Sequence, residues 1–133
     1  MAGQRSSTAA LPKGLESRAR AALAAGDAAG VERALMVFFA SLARDLAVEG
    51  ERQLAAGADA AAVGPRFLEA NWRYYNLVDI AVGKRDARAS VAMRLAYDDA
   101  EGATRGAAPN RGRVRVALRL MAQILGGVVD GSN

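Results

Sequence analysis

The chain has 133 residues, 52% of them hydrophobic and 24% charged, and its formal net charge is +4. This length allows one globular domain with one hydrophobic core. The absence of cysteine and histidine excludes disulfides, thiolate metal sites, cysteine nucleophiles and the commonest general base. We therefore expect a protein that is not an enzyme and has no metal, cofactor or small-molecule substrate.

Alanine supplies much of the hydrophobic fraction, whereas aromatic residues make up only 5% of the chain. Alanine is the best helix former, and Thr and Ile, which favour strands, are scarce. We predict an all-α fold, a single-domain bundle of four or five helices over residues 12–129, with a flexible N-terminal arm (1–11) and a C-terminal tail (130–133). No segment has the apolar length of a membrane span or a secretory signal, which favours a cytoplasmic protein without a membrane partner.

The first predicted helix is short, from Pro12 to the glycine cap at Gly26. Asp27 can then cap a long amphipathic helix that reaches Gly57 and around which the bundle is organised. Its predicted buried stripe consists of Val31, Leu35, Phe38, Phe39, Leu42, Leu46 and Leu54. Gly50 continues this stripe, so either another helix crosses closely there or the long helix is weakened and bends.

The glycine-then-aspartate junction at Gly26 and Asp27 recurs near Gly57 and Asp59. The helices after the two junctions do not match, and two copies fall short of the three that a repeat array needs. We interpret the similarity as one helix-stop, helix-start signal used twice.

A third, aromatic-rich helix is predicted from Pro65 to Gly83, where it can pack on the Phe38 and Phe39 region. A fourth should run from Lys84 to Glu101 with three apolar side chains inward, and Met93 and Tyr97 are weaker candidates for the same side. The three inward side chains are Ala87, Val91 and Leu95.

Glycine, proline and asparagine predict a loop over residues 102–112, which we expect to be the most mobile region of the chain. Residues 113–120 alternate like a strand, yet Val114, Leu118, Met121, Leu125 and Val128 also match a helical stripe. Because no second convincing strand is present to pair with it, we predict a fifth helix over Arg113 to Leu125.

Basic residues dominate the C-terminal half, and sixteen of the eighteen basic residues of the chain are arginine. Arginine and lysine can bind phosphate oxygens without reading base sequence. The candidate nucleic-acid-binding residues are Lys84, Arg85, Arg88, Arg94, Arg105, Arg111, Arg113, Arg115 and Arg119. The alternative is a solvated basic face balanced by the acidic residues at 98, 99 and 101.

Trp72 and Tyr75 lie beside Arg73, an arrangement that could stack single-stranded bases. Helical spacing favours a core role for both rings instead. Asp98, Asp99 and Glu101 suggest a hard-cation site, but no second acidic motif completes a coordination shell, so no metal is expected.

Two functions remain. The leading hypothesis is a small non-enzymatic subunit whose basic surface contacts the backbone of RNA or DNA within a larger nucleoprotein assembly. Small helical subunits of CRISPR effector complexes share this size and charge, an analogy of fold that no motif carries. The alternative is a helical assembly or adaptor protein, such as a phage or secretion-apparatus component, that binds protein partners or copies of itself. Convergence of the arginines on one surface would favour the first, and scatter the second.

Overall fold

The computed structural model describes residues 11–105 and 108–132. Within these residues the chain forms six α-helices and no strand, so the all-α prediction is confirmed with one or two more helices than expected. We number them in chain order: α1 Leu15–Ala24, α2 Ala28–Ala55, α3 Ala60–Asn76, α4 Asp79–Arg85, α5 Ala87–Thr104 and α6 Arg111–Ser132.

The predicted third helix is divided into α3 and α4. Asp59 caps α3 by accepting a hydrogen bond from the Ala61 amide (3.1 Å), so this helix begins five residues before Pro65. The missing proline N–H affects only the first turns of α3, where the exposed Ala61 carbonyl can bond to water. At the other end the buried Val78 leaves the helical conformation, and α4 begins at Asp79.

The two glycine-then-aspartate junctions are confirmed as matching caps. Gly26 and Gly57 have φ values of 67° and 100°, a left-handed conformation that glycine adopts without steric cost. The Asp27 carboxylate then accepts from the Gly30 amide (3.0 Å) at the start of α2. Local capping chemistry therefore fixes both ends of α2.

The buried face of α2 consists mainly of small side chains, which corrects the predicted stripe. Leu35 is half exposed, and Phe38, Phe39, Leu42 and Leu46 are only partly buried. Leu54 is the single member of the predicted stripe that is fully buried. The side chains that face the core instead are Ala34, Met36, Val37, Ala40, Ser41, Ala43, Ala47, Gly50 and Leu54.

For Gly50 the sequence left two alternatives, a close helix crossing or a weakened and bent helix. Another helix does cross α2 there. A Cβ atom added at Gly50 would lie 2.9 Å from the Cβ of Phe67 in α3 and 3.3 Å from Leu118 in α6. Such distances are shorter than ordinary carbon contacts. Helix α2 therefore meets α3 and α6 at a point that only glycine allows.

Helices α1, α3, α4 and α6 pack on α2, and α5 packs on α3, α4 and α6. The predicted contact between the third helix and the phenylalanines is confirmed, since the Phe39 and Tyr74 rings stack with centroids 6.1 Å apart. The predicted buried stripe of the last helix is confirmed too, with Val114, Leu118, Met121 and Leu125 buried and Val128 half-buried. Residues 113–120 are helical.

The inward face predicted for the fourth helix is wrong for its three main members, whereas its weaker candidates, Met93 and Tyr97, do pack in or against the core. Val91 and Leu95 are exposed, as is Ala87, whereas Met93 is fully buried. Helix α5 turns its alanine side to the core, as α2 does, and the buried residues are Ala89, Ser90, Met93, Ala96, Ala100 and Ala103.

The predicted loop is shorter than expected, because α5 continues to Thr104 and α6 begins at Arg111; positions 106 and 107 lie outside the described residues. Residues 1–10 of the predicted arm and Asn133 also lie outside them. Helix α6 continues to Ser132, through most of the predicted tail. Among the described helices none is both long and apolar enough to cross a lipid bilayer.

Candidate functional site

Most of the nine candidate basic residues contact partners within the chain. Lys84 lies 3.7 Å from Glu32 and Arg105 2.8 Å from Glu101, while Arg94 and Arg113 pair with Asp79 and Asp99. These pairs join α4 to α2, α5 to α4 and α6 to α5, and the Arg105 pair lies at the end of α5. Four of the nine residues therefore already have an acidic partner within the chain.

Glu51 joins α2 to α6. Its Oε2 accepts from Arg115 Nε (2.9 Å) and from Arg119 (3.3 Å). The Arg115 hydrogen bond, with a smaller contribution from Arg119, lowers the pKa of Glu51 below its ordinary value against the opposing effect of burial. Both arginines thus connect α6 to a residue of α2 that lies 64 and 68 positions before them in the chain.

Arg111 caps the end of α2. Its Nη1 donates to the carbonyl oxygens of Leu54 (2.9 Å) and Ala58 (2.6 Å). Carbonyl groups at a helix C-terminus lack intrahelical donors and carry partial negative charge, so a guanidinium satisfies both needs there. Arg111 therefore has a structural role in holding the start of α6 against the end of α2.

A smaller basic group remains at the turn between α4 and α5. Arg85 and Arg88 are exposed and have no ion-pair partner among the described residues, and Lys84 makes only its long contact with Glu32. These three residues, which we call the α4–α5 basic turn, are the part of the predicted set with the most available charge.

The two candidate stacking residues have different environments. Tyr75 is fully buried, so its ring is not available to a base. Trp72 is partly buried and stacks on Tyr97 with centroids 4.5 Å apart. Both rings belong to the contact between α3 and α5.

Asp79 is the centre of a buried polar network that sequence analysis missed. Its carboxylate accepts from the Tyr75 hydroxyl (2.5 Å) and from Ser90 Oγ (2.8 Å), and it pairs with Arg94. Burial alone would raise the pKa of Asp79, but hydrogen bonds from Arg94, Tyr75 and Ser90 outweigh it and lower this pKa. Burial and the adjacent carboxylate raise the pKa of Tyr75.

This network has a structural character. The Asp79 carboxylate on α4 accepts from Tyr75 on α3 and from Ser90 and Arg94 on α5, so the network ties these three helices together. Four cavities in the described part of the chain are lined by neither Asp79 nor Tyr75. The only sequence signal for it was Asp79 itself, an acid within an apolar segment.

The acidic residues at the end of α5 are not arranged as a cation site. Asp99 and Glu101 pair with arginines, and Asp98 is exposed. Within residues 11–105 and 108–132, no group of three or more acidic side chains is placed to hold a metal ion.

Four large apolar side chains are exposed on the outer side of α5 and α6. The exposed fractions are 54% for Val91, 64% for Leu95, 59% for Val116 and 45% for Leu120. Two contacts fix how the helices align: Asp99 pairs with Arg113, and the Asn110 amide donates to the Ala103 carbonyl (2.8 Å).

Residue numbers on α5 therefore fall as those on α6 rise, so the helices run antiparallel. Leu95 lies level with residue 117, and Val91 with residue 121. We call the surface formed by Val91, Leu95, Val116 and Leu120 the α5–α6 apolar face. Each helix supplies two members four residues apart, which places them on one side of that helix.

An open groove of about 640 Å³ between α1 and α2 exposes a second set of apolar side chains, including Leu23 and Leu35. It is also lined by Leu11 and Pro12, which directly follow residues 1–10 in the chain.

The chain matches no protein-family model, no curated protein and no solved structure. Its function must be argued from its own surfaces.

Replacing Asp79 by Asn should lower the free energy of unfolding at neutral pH by about 2 kcal/mol, because Arg94 loses a charged partner and Tyr75 a strong acceptor. A carboxyl whose folded pKa is depressed stabilises the fold above its unfolded pKa of about 3.9 and loses this effect as the pH falls through the folded value. The difference between wild type and D79N should therefore shrink below about pH 4. Urea unfolding measured across this pH range tests both statements.

The matched control is Asp98→Asn, at an exposed carboxyl without an ion pair among the described residues, which should change stability by less than about 0.5 kcal/mol. Equal stability of D79N and wild type at neutral pH would contradict a structural role for the network.

Proposed function

We propose that the protein is a non-enzymatic assembly or adaptor subunit that binds a protein partner through the α5–α6 apolar face. The observation that carries this proposal is the grouping of Val91, Leu95, Val116 and Leu120 on neighbouring helices. Single exposed apolar residues are ordinary, whereas a contiguous group bordered by polar residues is typical of interaction sites.

The charged groups around this face support the same function. Arg113 and Asp99 form an ion pair at one end of the α5–α6 seam, and Arg94 is directed to Asp79. A partner can therefore cover the centre of the face without desolvating an unpaired charge there, which would be costly. Polar groups at the border and apolar groups at the centre resemble the anatomy of protein interfaces.

The intramolecular contacts of the arginines also favour assembly over nucleic-acid binding. Arg111 is occupied by two carbonyl oxygens, and Arg115 and Arg119 share Glu51. A phosphate would have to displace these contacts, some of which hold helices together. The density of arginine in the sequence thus reflects intramolecular pairing to a large extent.

Photo-crosslinking tests the proposed function. A photoreactive phenylalanine analogue at position 95, in the cells that naturally produce the protein, should give a covalent adduct on irradiation because the partner covers this site. The matched control is the same analogue at position 23, which is equally exposed in wild type but lies on α1. The adduct mass distinguishes a second copy of the chain from another protein. No adduct at position 95, or equal yields from both positions, would contradict the proposal.

Binding of RNA or DNA backbone within a larger assembly is the second candidate. Its support is the net charge of +4 together with the α4–α5 basic turn. Lys84, Arg85 and Arg88 could contact phosphates without breaking the Glu51 or Asp79 ion pairs. Such binding would be blind to sequence and would weaken as salt rises.

Titration of labelled single-stranded RNA, single-stranded DNA and duplex DNA, at about 50 mM and about 200 mM salt, tests this candidate. Changing Lys84, Arg85 and Arg88 together to Gln should weaken binding and flatten its salt dependence. The matched control changes three exposed arginines elsewhere, Arg20, Arg66 and Arg73, to Gln, with the same loss of charge. Equal losses in the two variants would show binding by net charge alone, and no binding at low salt would exclude the candidate.

A further inference from the structure

We infer that the partner of the α5–α6 apolar face is a second copy of the same chain, related by a two-fold axis that runs α5 antiparallel to α5 of the partner. This inference rests on the proposed function and specifies its partner. Its evidence is the distribution of unpaired charges along α5 and the similar position of the four apolar side chains along the axes of α5 and α6.

Two charged side chains of α5 have no ion-pair partner within the described chain, and their charges are opposite. Arg94, Asp99 and Glu101 are each paired with another residue. Arg88 and Asp98 are exposed and unpaired, ten positions apart on the outer side of the helix. One end of this side is therefore positive and the other negative.

A two-fold axis turns this arrangement into complementarity. In a symmetric interface, if residue i of one copy meets residue j of the other, then j also meets i. The midpoint of Arg88 and Asp98 is position 93, so an axis at that height places each Arg88 opposite the other copy's Asp98. The same axis places Val91 opposite Leu95, because their midpoint is also position 93.

Helix α6 fits the same axis. The Asp99–Arg113 and Ala103–Asn110 contacts make position 93 of α5 level with positions 119 to 120 of α6. The midpoint of Val116 and Leu120 is position 118, within two residues of that height. A single two-fold operation therefore pairs Val91 with Leu95 and Val116 with Leu120 across the interface, with α5 on α5 and α6 on α6.

The size of the face predicts a weak dimer. Helix α5 has 18 residues, and a helix of this length extends about 27 Å. Two neighbouring helices present a width of about 20 Å, so the face covers about 500 Å², below the roughly 800 Å² per partner of a stable interface. Association should therefore be weak and depend on concentration.

Sedimentation analysis of the purified full chain from about 5 µM to about 500 µM tests the inference, and circular dichroism confirms that each variant is folded. Wild type should change from monomer to dimer over this range. Leu95→Glu should remain monomeric, whereas Leu23→Glu, at a similarly exposed leucine on α1, should dimerise like wild type.

Charge reversal tests the antiparallel geometry. R88D alone and D98R alone each place like charges opposite one another twice in the dimer, so each should weaken self-association by at least about tenfold. An equimolar mixture of the two variants should associate, because both interfacial contacts then join opposite charges. The double variant R88D/D98R should dimerise on its own for the same reason.

A wild-type chain that stays monomeric throughout overturns the inference, as do single variants that dimerise like wild type or a mixture that fails to associate. Failure of the proposed function is separate from this result. Crosslinking of position 95 to a different protein, with a monomeric purified chain, would keep the proposed function and overturn self-association.

Discussion

Helix α2 turns alanine and glycine toward the core, and its neighbours must approach it closely to fill the space. Ala40, Ala43 and Ala47 are completely buried, and Gly50 touches Phe67 and Leu118 where α3 and α6 cross. Small residues on one helix are matched by large ones on the facing helices, such as Leu118, Met121 and Leu125 of α6. Dispersion contacts at such short range depend on how closely the surfaces fit more than on side-chain size. This close fit sets the positions of α3 and α6, and the contacts of α3 and α6 with α5 then set the position of α5.

The burial of small residues also explains why large apolar side chains lie on the outer surface. Because α5 also buries its alanines, its larger apolar side chains Val91 and Leu95 remain outside. The core has few aromatic residues, and ion pairs add connections between helices. Glu51 joins α2 to α6, and Asp79 joins α4 to α5. Five arginines of the described chain thus connect one helix to another, while Val91 and Leu95 stay exposed; the five are Arg94, Arg111, Arg113, Arg115 and Arg119.

Sequence reasoning succeeded where structure is determined locally and failed where it depends on distant residues. The caps at Asp27 and Gly57 could be predicted because the groups involved are neighbours in the chain. The buried face of α2 could not, since hydrophobic periodicity favours large side chains and does not recognise an alanine face that becomes apolar core only when another helix covers it. The pairing of Arg115 with Glu51, 64 residues away, has no local signal either. The many arginines therefore predicted a basic surface. Their partners lie on α2, α4 and α5, and no local pattern in the sequence identifies them.

The most direct test of this account compares Ala47→Leu with Leu35→Ala by urea unfolding. Alanine and leucine have similar helix propensities, so the two changes differ mainly in packing. The account predicts that A47L, at a completely buried position, destabilises the fold by about 2 kcal/mol or more through overpacking. L35A removes a side chain that is half exposed and should cost less than about 1 kcal/mol. The opposite order, with L35A the more damaging, would show that α2 packs through its large side chains and would contradict the account.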